Sequence, residues 1–341
     1  MLGTKKDLFI FITAISAFCY LCLYVPYTYP KLPDEWTTKH EVLIPSGATA
    51  AAAARQIVEA GVTDDARRLS REMASAGIDR RLMPGLYTLR KSSPAGVVRQ
   101  LLRAKPVVNK VTLIPGSTFE RAAKLFGADE AGGSLFEKAL ADDANFYPPV
   151  LELIPAKTVL RAAYLLPETY FISPGKEAAS EFVKRASEQW YKKVGTKLPK
   201  EASRSWLFER GILASMVEGE ARIAAERPVL AGIFLKRLEK NMRMQSCATV
   251  VYSWEMQNVK KRRLTYKDLE IKSPYNTYIH SGFPPAPICV PGEDAWLGAL
   301  YPTSGDYLFF FAAADGHHLF SKTYEEHIAK QNIEKKRRAG S

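Results

Sequence analysis

The chain has 341 residues, of which 47% are hydrophobic and 25% are charged. This length suits about two domains, and the composition excludes a disordered chain, a collagen and a small disulfide scaffold. The 48 Lys and Arg outnumber the 36 Asp and Glu, and the formal charge of +12 favours an acidic partner such as nucleic acid, anionic lipid or an acidic polymer.

An apolar segment near the N-terminus narrows the choice among these acidic partners. Residues 8–25 carry no charge, and a helix of that length nearly spans a hydrocarbon core of about 30 Å. Lys5 and Lys6 precede it, which predicts a cytoplasmic N-terminus. The alternative is a cleaved signal peptide, but no small-x-small site follows the apolar run. We expect a single-pass anchor in the inner (cytoplasmic) membrane over residues 1–29. The rest of the chain would then lie on the periplasmic or extracellular side, away from nucleic acid.

The cysteines and histidines give no metal signature. Cys19 and Cys22 fall in the apolar segment, whereas Cys247 and Cys289 fall where a disulfide is allowed but not implied. The five histidines lack the spacing of metal ligands, so we predict no metal site and no cofactor.

The rest of the chain is predicted to be α+β. A linker over residues 30–39 precedes a small unit over 40–105, followed by a larger mixed domain over 106–335 and a basic tail over 336–341. In the small unit we expect strands at 42–44 and 84–89 and helices at 49–60, 64–76 and 93–104.

The larger domain is expected to be helical in its first half. A strand at 111–114 leads into helices that dominate to about residue 224, with a further helix at 229–239. Residues 249–319 are rich in Tyr, Pro and Gly, so we expect loops and short strands there, including a buried strand at 308–312.

One predicted helix holds the acid candidate. At about 100° per residue, Ile212, Leu213 and Met216 share one face, Glu220 falls in the same stripe and Glu218 points to the opposite side. A carboxylate facing the core is costly unless it is paired, hydrogen-bonded or protonated. Burial also raises the pKa of a carboxyl group, which suits a general acid near neutral pH. Glu220 is therefore the candidate acid, and Glu218 is predicted to face solvent.

The residues alone leave a structural alternative for Glu220. It could form an ion pair with Arg222, Arg227 or Arg237, since structural ion pairs also place acids inward.

A second cluster lies in the loop at residues 274–288. Its prolines fix a loop that presents Tyr275, Asn276 and Tyr278, and such amides and phenols suit carbohydrate. The alternative is an ordinary Pro-rich surface loop.

Several of these segments together resemble the YceG-like (MltG) endolytic murein transglycosylases. The similar segments are LASMVEGEA (213–221), Glu226-Arg227, FLKRL (234–238), MRMQS (242–246), TVVY (249–252), YNTY (275–278) and GFPP (282–285). Upstream, VTLIPG (111–116) and LPETY (166–170) are also similar, and the unit after the anchor is LysM-like.

The resemblance implies a function. The family cleaves peptidoglycan glycan strands between N-acetylmuramic acid and N-acetylglucosamine without water, leaving 1,6-anhydromuramyl ends. The second Glu of its Glu-x-Glu pair is catalytic, which here is Glu220, acting first as acid and then as base. Gln245, Tyr275, Asn276 and Tyr278 would then bind or orient the sugar. Nascent strands near the membrane are the expected substrate, and cell-wall synthases are candidate partners.

Glu226 is a further candidate in this comparison. It would either hold an arginine behind the site or help to position the sugar.

The chain departs from the family pattern at a few positions. Family members often carry Asp-Pro where this chain has Cys247-Ala248, Lys or Arg at Gly219, and Gly at Ala286. Cys247 removes a carboxylate and makes a bridge to Cys289 conceivable. A non-catalytic protein that binds peptidoglycan is therefore the alternative function, with Glu220 in a structural role.

Overall fold

The computed structural model describes residues 13–20, 38–45, 47–128, 132–156, 158–261 and 263–339. They divide into two compact units between Val108 and Asn109, each with its own hydrophobic core. The boundary predicted from the sequence lies after residue 105.

The predicted anchor lies largely outside the described residues. Residues 13–20 are helical, and the rest of the 8–25 segment is not described. Within the ranges given above, no helix is both long enough and apolar enough to cross a membrane.

The first unit is a two-stranded sheet with three helices. Strands β1 (Lys39–Ile44) and β2 (Gly85–Arg90) pair antiparallel, with Lys39 opposite Arg90. The helices are α1 (Ala50–Glu59), α2 (Ala66–Ser75) and α3 (Pro94–Arg103). Each helix begins after a side chain that accepts a backbone N–H of its first turn, which explains where it starts; these caps are Thr49, Asp65 and Ser93. The predicted order of strands and helices in this unit is confirmed.

The second unit carries the longer helices and two small sheets. Strand β3 (Asn109–Thr112) pairs antiparallel with β4 (Thr169–Ile172), and β5 (Phe309–Ala312) pairs antiparallel with β6 (His318–Ser321). The helices before its centre are α4 (Phe119–Ala123), α5 (Leu135–Ala141), α6 (Thr158–Arg161) and α7 (Ala178–Lys193). The remaining helices are α8 (Arg204–Glu220), α9 (Arg227–Glu239), α10 (Cys247–Glu255), α11 (Glu293–Leu300) and α12 (Tyr324–Ala339).

Helix α8 is the centre of this unit. Every residue from Gly211 to Val217 is buried, so the helix has no solvent face over two turns. Trp296 of α11 packs against it and forms edge-to-face contacts with Trp190 of α7. This packing fixes α8 around Gly211, and Glu220 is the last residue of the same helix.

The prediction of loops and short strands over residues 249–319 was wrong in part. Helices α10 and α11 occupy 247–255 and 293–300, whereas the strand predicted at 308–312 corresponds to β5. It was predicted to be buried, but β5 is partly exposed because it lines a cleft. Helix α10 has the sequence CATVVYSWE, whose β-branched and aromatic residues are weak helix formers. Burial of Thr249, Val250 and Tyr252 stabilises it instead, which a local pattern does not show.

Candidate active site

Glu220 is the last residue of α8, and its side chain meets the beginning of α10. Ser246 Oγ donates a hydrogen bond to Glu220 Oε1 at 2.6 Å, and the Ala248 backbone N–H donates to the same oxygen at 3.1 Å. Since the N-terminal N–H groups of a helix have no partner within the helix, the Glu220 carboxylate caps α10. Hydrogen bonds from the described residues reach Oε1 alone, which leaves Oε2 for a ligand.

Two clefts meet at this carboxyl group. The larger has a volume of about 760 Å³ and the smaller a volume of about 260 Å³. Gly219, Glu220 and Cys247 line both, so a chain bound in one can continue past the carboxyl group into the other. A cleft open on both sides of an acid suits cutting within a polymer.

The β5–β6 hairpin and α12 form one wall of the larger cleft. Phe309, Phe310 and Phe311 of β5 line it, together with Tyr324 and His327 of α12. Aromatic faces of this kind pack against sugar rings.

Arg237 of α9 fixes the base of this wall. Its side chain is buried, with Nε donating to the Leu308 carbonyl at 2.8 Å and a second nitrogen donating to the Met244 carbonyl. The guanidinium lies 5.6 Å from the centre of the Phe310 ring. Burial lowers the pKa of Arg237, and the charge of nearby Glu220 acts in the opposite direction. Arg237 therefore places a positive charge near the acid while it ties the hairpin to α9.

Gln245 lines the larger cleft in a strained backbone conformation. Its φ of 50° lies in the left-handed region, which residues other than glycine rarely adopt. Hydrogen bonds to Thr277 hold it there, from Gln245 N to the Thr277 carbonyl at 3.1 Å and from Ser246 N to Thr277 Oγ1 at 2.9 Å. The strained turn brings the Ser246 hydroxyl within hydrogen-bonding distance of Glu220.

The two loop tyrosines occupy different positions. Tyr278 lines the larger cleft, and its hydroxyl lies 3.2 Å from Cys247 Sγ. Tyr275 does not line either cleft that contains Glu220; its ring packs edge-to-face on Tyr252, which lines the smaller one. Burial raises the pKa of both phenols, so both remain protonated donors at neutral pH.

Asn276 is fully buried below the loop surface. Its side-chain nitrogen donates to the Leu269 and Ile271 carbonyls at 2.8 and 2.9 Å, and its side-chain oxygen accepts from Tyr278 N at 2.9 Å. These bonds satisfy the amide, so this placement gives no support to direct sugar binding. Asn276 shapes the loop that presents Tyr278.

Glu226 is buried and holds the β5–β6 hairpin instead of an arginine. Oε1 accepts from His318 N at 3.0 Å, and Oε2 lies 2.7 Å from His318 Nδ1. His317 Nδ1 lies 3.3 Å from Oε1. Burial raises the pKa of Glu226, but the hydrogen bonds from His318 outweigh it, and the net result is a lowered pKa. Since His318 lines the larger cleft, Glu226 contacts the wall and not the cleft itself.

The prediction that Glu218 faces solvent was wrong. Its side chain is 7% exposed and forms an ion pair with Arg227, at 2.9 Å between Oε1 and the guanidinium. Oε2 accepts from Gly292 N at 2.8 Å. The helical wheel failed because residues 211–217 are buried on every side of α8, so the side opposite the apolar stripe is also internal. The ion pair that sequence analysis considered for Glu220 is the one formed by Glu218.

Both cysteines near the site are free thiols. Cys247 Sγ faces Tyr278, and Cys289 Sγ donates to the Ser215 carbonyl at 3.3 Å. Burial raises the pKa of the Cys247 thiol, and the negative charge of Glu220 adds to the effect. The thiol is therefore neutral at physiological pH and cannot replace a carboxylate as a base.

Sequence reasoning missed several residues that support the acid. Ser246, the Ala248 amide and His318 have no distinctive local pattern, because their roles depend on contacts between distant segments. Ser246 immediately precedes α10 at the position of a cap, and that was the one available signal.

The chain belongs to the YceG-like family, whose match covers residues 42–333. The crystal structure of the yceG-like protein lmo1499 from Listeria monocytogenes is similar over 86% of this chain and 99% of that one. Its TM-score is 0.51 at 27% sequence identity. This similarity supports the mixed α+β fold.

Curated relatives carry a more specific description. An endolytic murein transglycosylase of Bacillus subtilis (strain 168) is 37% identical over 165 residues, which is 48% of this chain and 45% of the relative. Its namesake from Streptococcus pneumoniae (serotype 2, strain D39) is 27% identical over 277 residues, which is 72% of this chain and 49% of the relative. The chain thus spans about half the length of the curated relatives it matches.

Proposed function

We propose that this chain is a peptidoglycan lytic transglycosylase that cuts glycan strands internally. The observation that carries the proposal is the position of Glu220, at the junction of two clefts, with Oε1 held by Ser246 and Ala248 and Oε2 open. The family membership and the names of the curated relatives support the same substrate.

The mechanism needs one protein acid. Glu220 donates its proton to the glycosidic oxygen between N-acetylmuramic acid and N-acetylglucosamine, and the bond from that oxygen to C1 of the muramyl residue breaks. The muramyl C6 hydroxyl attacks C1, and the Glu220 carboxylate takes the hydroxyl proton. The result is a 1,6-anhydro ring with no water consumed, and attack within one molecule gains from a high effective concentration.

The arrangement of carboxylates favours this route over hydrolysis. Among the residues that line the larger cleft, Glu220 is the one carboxylate; Glu255 lines the smaller cleft, where it is paired with Arg121. A hydrolase usually needs a second carboxylate to activate water or to act as nucleophile. Gln245 and Tyr278 are the proposed sugar-binding residues, and Glu226 acts through the hairpin wall.

The proposed setting is the cell envelope. A helix over residues 8–25 would anchor the chain in the cytoplasmic membrane with the catalytic unit outside, near nascent strands and the synthases that make them. The first unit, interpreted as LysM-like, would bind or orient the glycan. Alkali extraction of membranes tests the anchor, because an integral protein stays with the membrane and a peripheral one is released.

Mass spectrometry of the cut ends tests the reaction. The full chain in detergent is incubated with uncrosslinked glycan strands, and we expect 1,6-anhydromuramyl ends. Reducing muramyl ends would identify a hydrolase. No cleavage by a folded protein that still binds strands would favour the non-catalytic alternative, for which the replacement of the family's Asp by Cys247 is the specific argument.

A further inference from the structure

The smaller cleft holds an ion pair that the mechanism does not use. Arg121 of α4 and Glu255 at the end of α10 both line this cleft, and their side chains meet at 2.5 Å. The two residues lie 134 positions apart in sequence, so the pair joins two separate walls. The cleft also contains Glu220, so any group bound here lies beside the scissile bond.

Arg121 is suited to exchange Glu255 for the carboxylate of a ligand. The Arg121 side chain is 53% exposed and that of Glu255 is 22% exposed. Solvent-accessible ion pairs contribute little to stability, so a competing carboxylate displaces Glu255 at little cost. Arginine binds carboxylates through two parallel hydrogen bonds, which makes it selective for that group. Val251, Tyr252 and Ile288 add an apolar surface beside it.

We propose that the smaller cleft binds the peptide branch of the muramyl residue at the cut site, with Arg121 receiving a peptide carboxylate and Glu255 competing for the same guanidinium. This rests on the proposed function, because it assigns the substrate group beside Glu220. The peptide branches from peptidoglycan at each muramyl residue and carries free carboxylates, which supplies the required charge. The enzyme therefore distinguishes strands that carry peptides from bare glycan.

The test compares two substrates and three variants. The full chain in detergent is assayed on glycan strands with their peptides. It is also assayed on the same strands after an amidase has removed the peptides and the lactyl carboxylates exposed by that cleavage have been converted to amides. Arg121→Gln removes the anchor, and Glu255→Gln removes its competitor. Lys192→Gln is the matched control, because Lys192 is equally exposed at 54%, is also ion-paired and lies on α7 away from both clefts. Thermal melts identify any variant that fails to fold.

The expected result is a change in KM that depends on the peptide. Arg121→Gln raises KM on peptide-bearing strands by roughly threefold to tenfold, the range of one charge-assisted hydrogen bond near solvent, and leaves kcat unchanged. Glu255→Gln lowers KM on the same strands. Neither variant alters KM on bare glycan, and Lys192→Gln matches wild type on both.

Two results would overturn the inference while leaving the proposed function intact. Equal effects of Arg121→Gln on both substrates would assign Arg121 to sugar binding or to the fold. An unchanged KM of Arg121→Gln on both substrates would show that the Arg121–Glu255 pair has no role in substrate binding. By contrast, failure of the wild type to cut either substrate would reject the proposed function itself. Arg121→Lys keeps the charge without the fork, so an intermediate KM supports carboxylate recognition even if Arg121→Gln folds poorly.

Discussion

Ser246 and Glu220 are joined by a hydrogen bond of 2.6 Å between residues that lie 26 positions apart. Ser246 stands where a helix cap is expected, but its hydroxyl caps nothing in α10 and is directed to the carboxylate instead. The Glu220 carboxylate therefore caps α10 by accepting from the Ala248 amide, and the Ser246 hydroxyl in turn orients that carboxylate.

Removal of the Ser246 hydroxyl is expected to slow the reaction. Ser246→Ala takes one of two donors from Oε1, so the carboxyl group loses its fixed orientation. We expect kcat to fall about tenfold, the equivalent of one hydrogen bond, with little change in KM. Ser253→Ala is the control, because Ser253 is buried in the same helix and its hydroxyl donates to the Thr249 carbonyl instead of to Glu220. Equal loss in the two variants would show that α10 is perturbed and not the acid.

Glu226 is expected to contribute stability that depends on pH. Its pKa lies below the ordinary value of 4.5 in the folded chain, so its contribution is complete above pH 4.5 and is lost as the pH falls through the lowered value. Glu226→Gln should therefore reduce the free energy of unfolding by about 1–3 kcal/mol at pH 7, and the difference from wild type should shrink as the pH falls from 7 to below 4.5. Urea unfolding across this range measures it.

The control for this variant is Glu239→Gln. Glu239 is 64% exposed and pairs with Lys236 on the surface, so its loss should change stability by less than about 0.5 kcal/mol. We also expect Glu226→Gln to raise KM, since the hairpin that Glu226 holds forms a wall of the cleft. An unchanged KM in folded Glu226→Gln protein would show that the hairpin does not contribute to substrate binding.

Gly219 is expected to be required for the approach of α8 to α10. A Cβ atom at this position would lie 2.6 Å from the Ala248 side chain, so one helix must move. Gly219→Ala should lower stability by about 1–3 kcal/mol from overpacking, partly offset by the better helix propensity of Ala, and should lower kcat because the 3.1 Å bond from Ala248 N to Glu220 lengthens.

Gly305→Ala is the matched control for that variant. Its added Cβ would meet nothing closer than a Tyr307 atom at 4.0 Å. A Gly219→Ala protein as stable and active as wild type would show that the two helices adjust without cost.

The acid candidate could be predicted from sequence, but its environment could not. The apolar stripe that contains Ile212, Leu213 and Met216 brought Glu220 inward, and the structure places it at the edge of the core. The same pattern misplaced Glu218, because a wheel assumes that one face of the helix meets water. In α8 both faces are covered, one by α11 and the other by segments far along the chain.

Contacts between residues far apart in the sequence explain the other differences between prediction and structure. Glu226 was expected to hold an arginine or position sugar, but its histidine partners lie more than 90 residues away. Asn276 was expected to bind or orient the sugar, but its amide nitrogen donates to the Leu269 and Ile271 carbonyls. Local patterns do predict the strands and helices of the first unit, because side-chain caps and turn residues mark their ends directly.

The most direct test of the account is the rate at which Glu220→Gln forms anhydromuramyl ends. Gln keeps the shape of the side chain but cannot donate or accept the proton, so we expect a loss of about 10²- to 10⁴-fold in kcat with strand binding retained. Glu218→Gln serves as the comparison, because it breaks a buried ion pair and should lower stability while the folded fraction still cuts. Cleavage by folded Glu220→Gln at the wild-type rate would contradict the central claim.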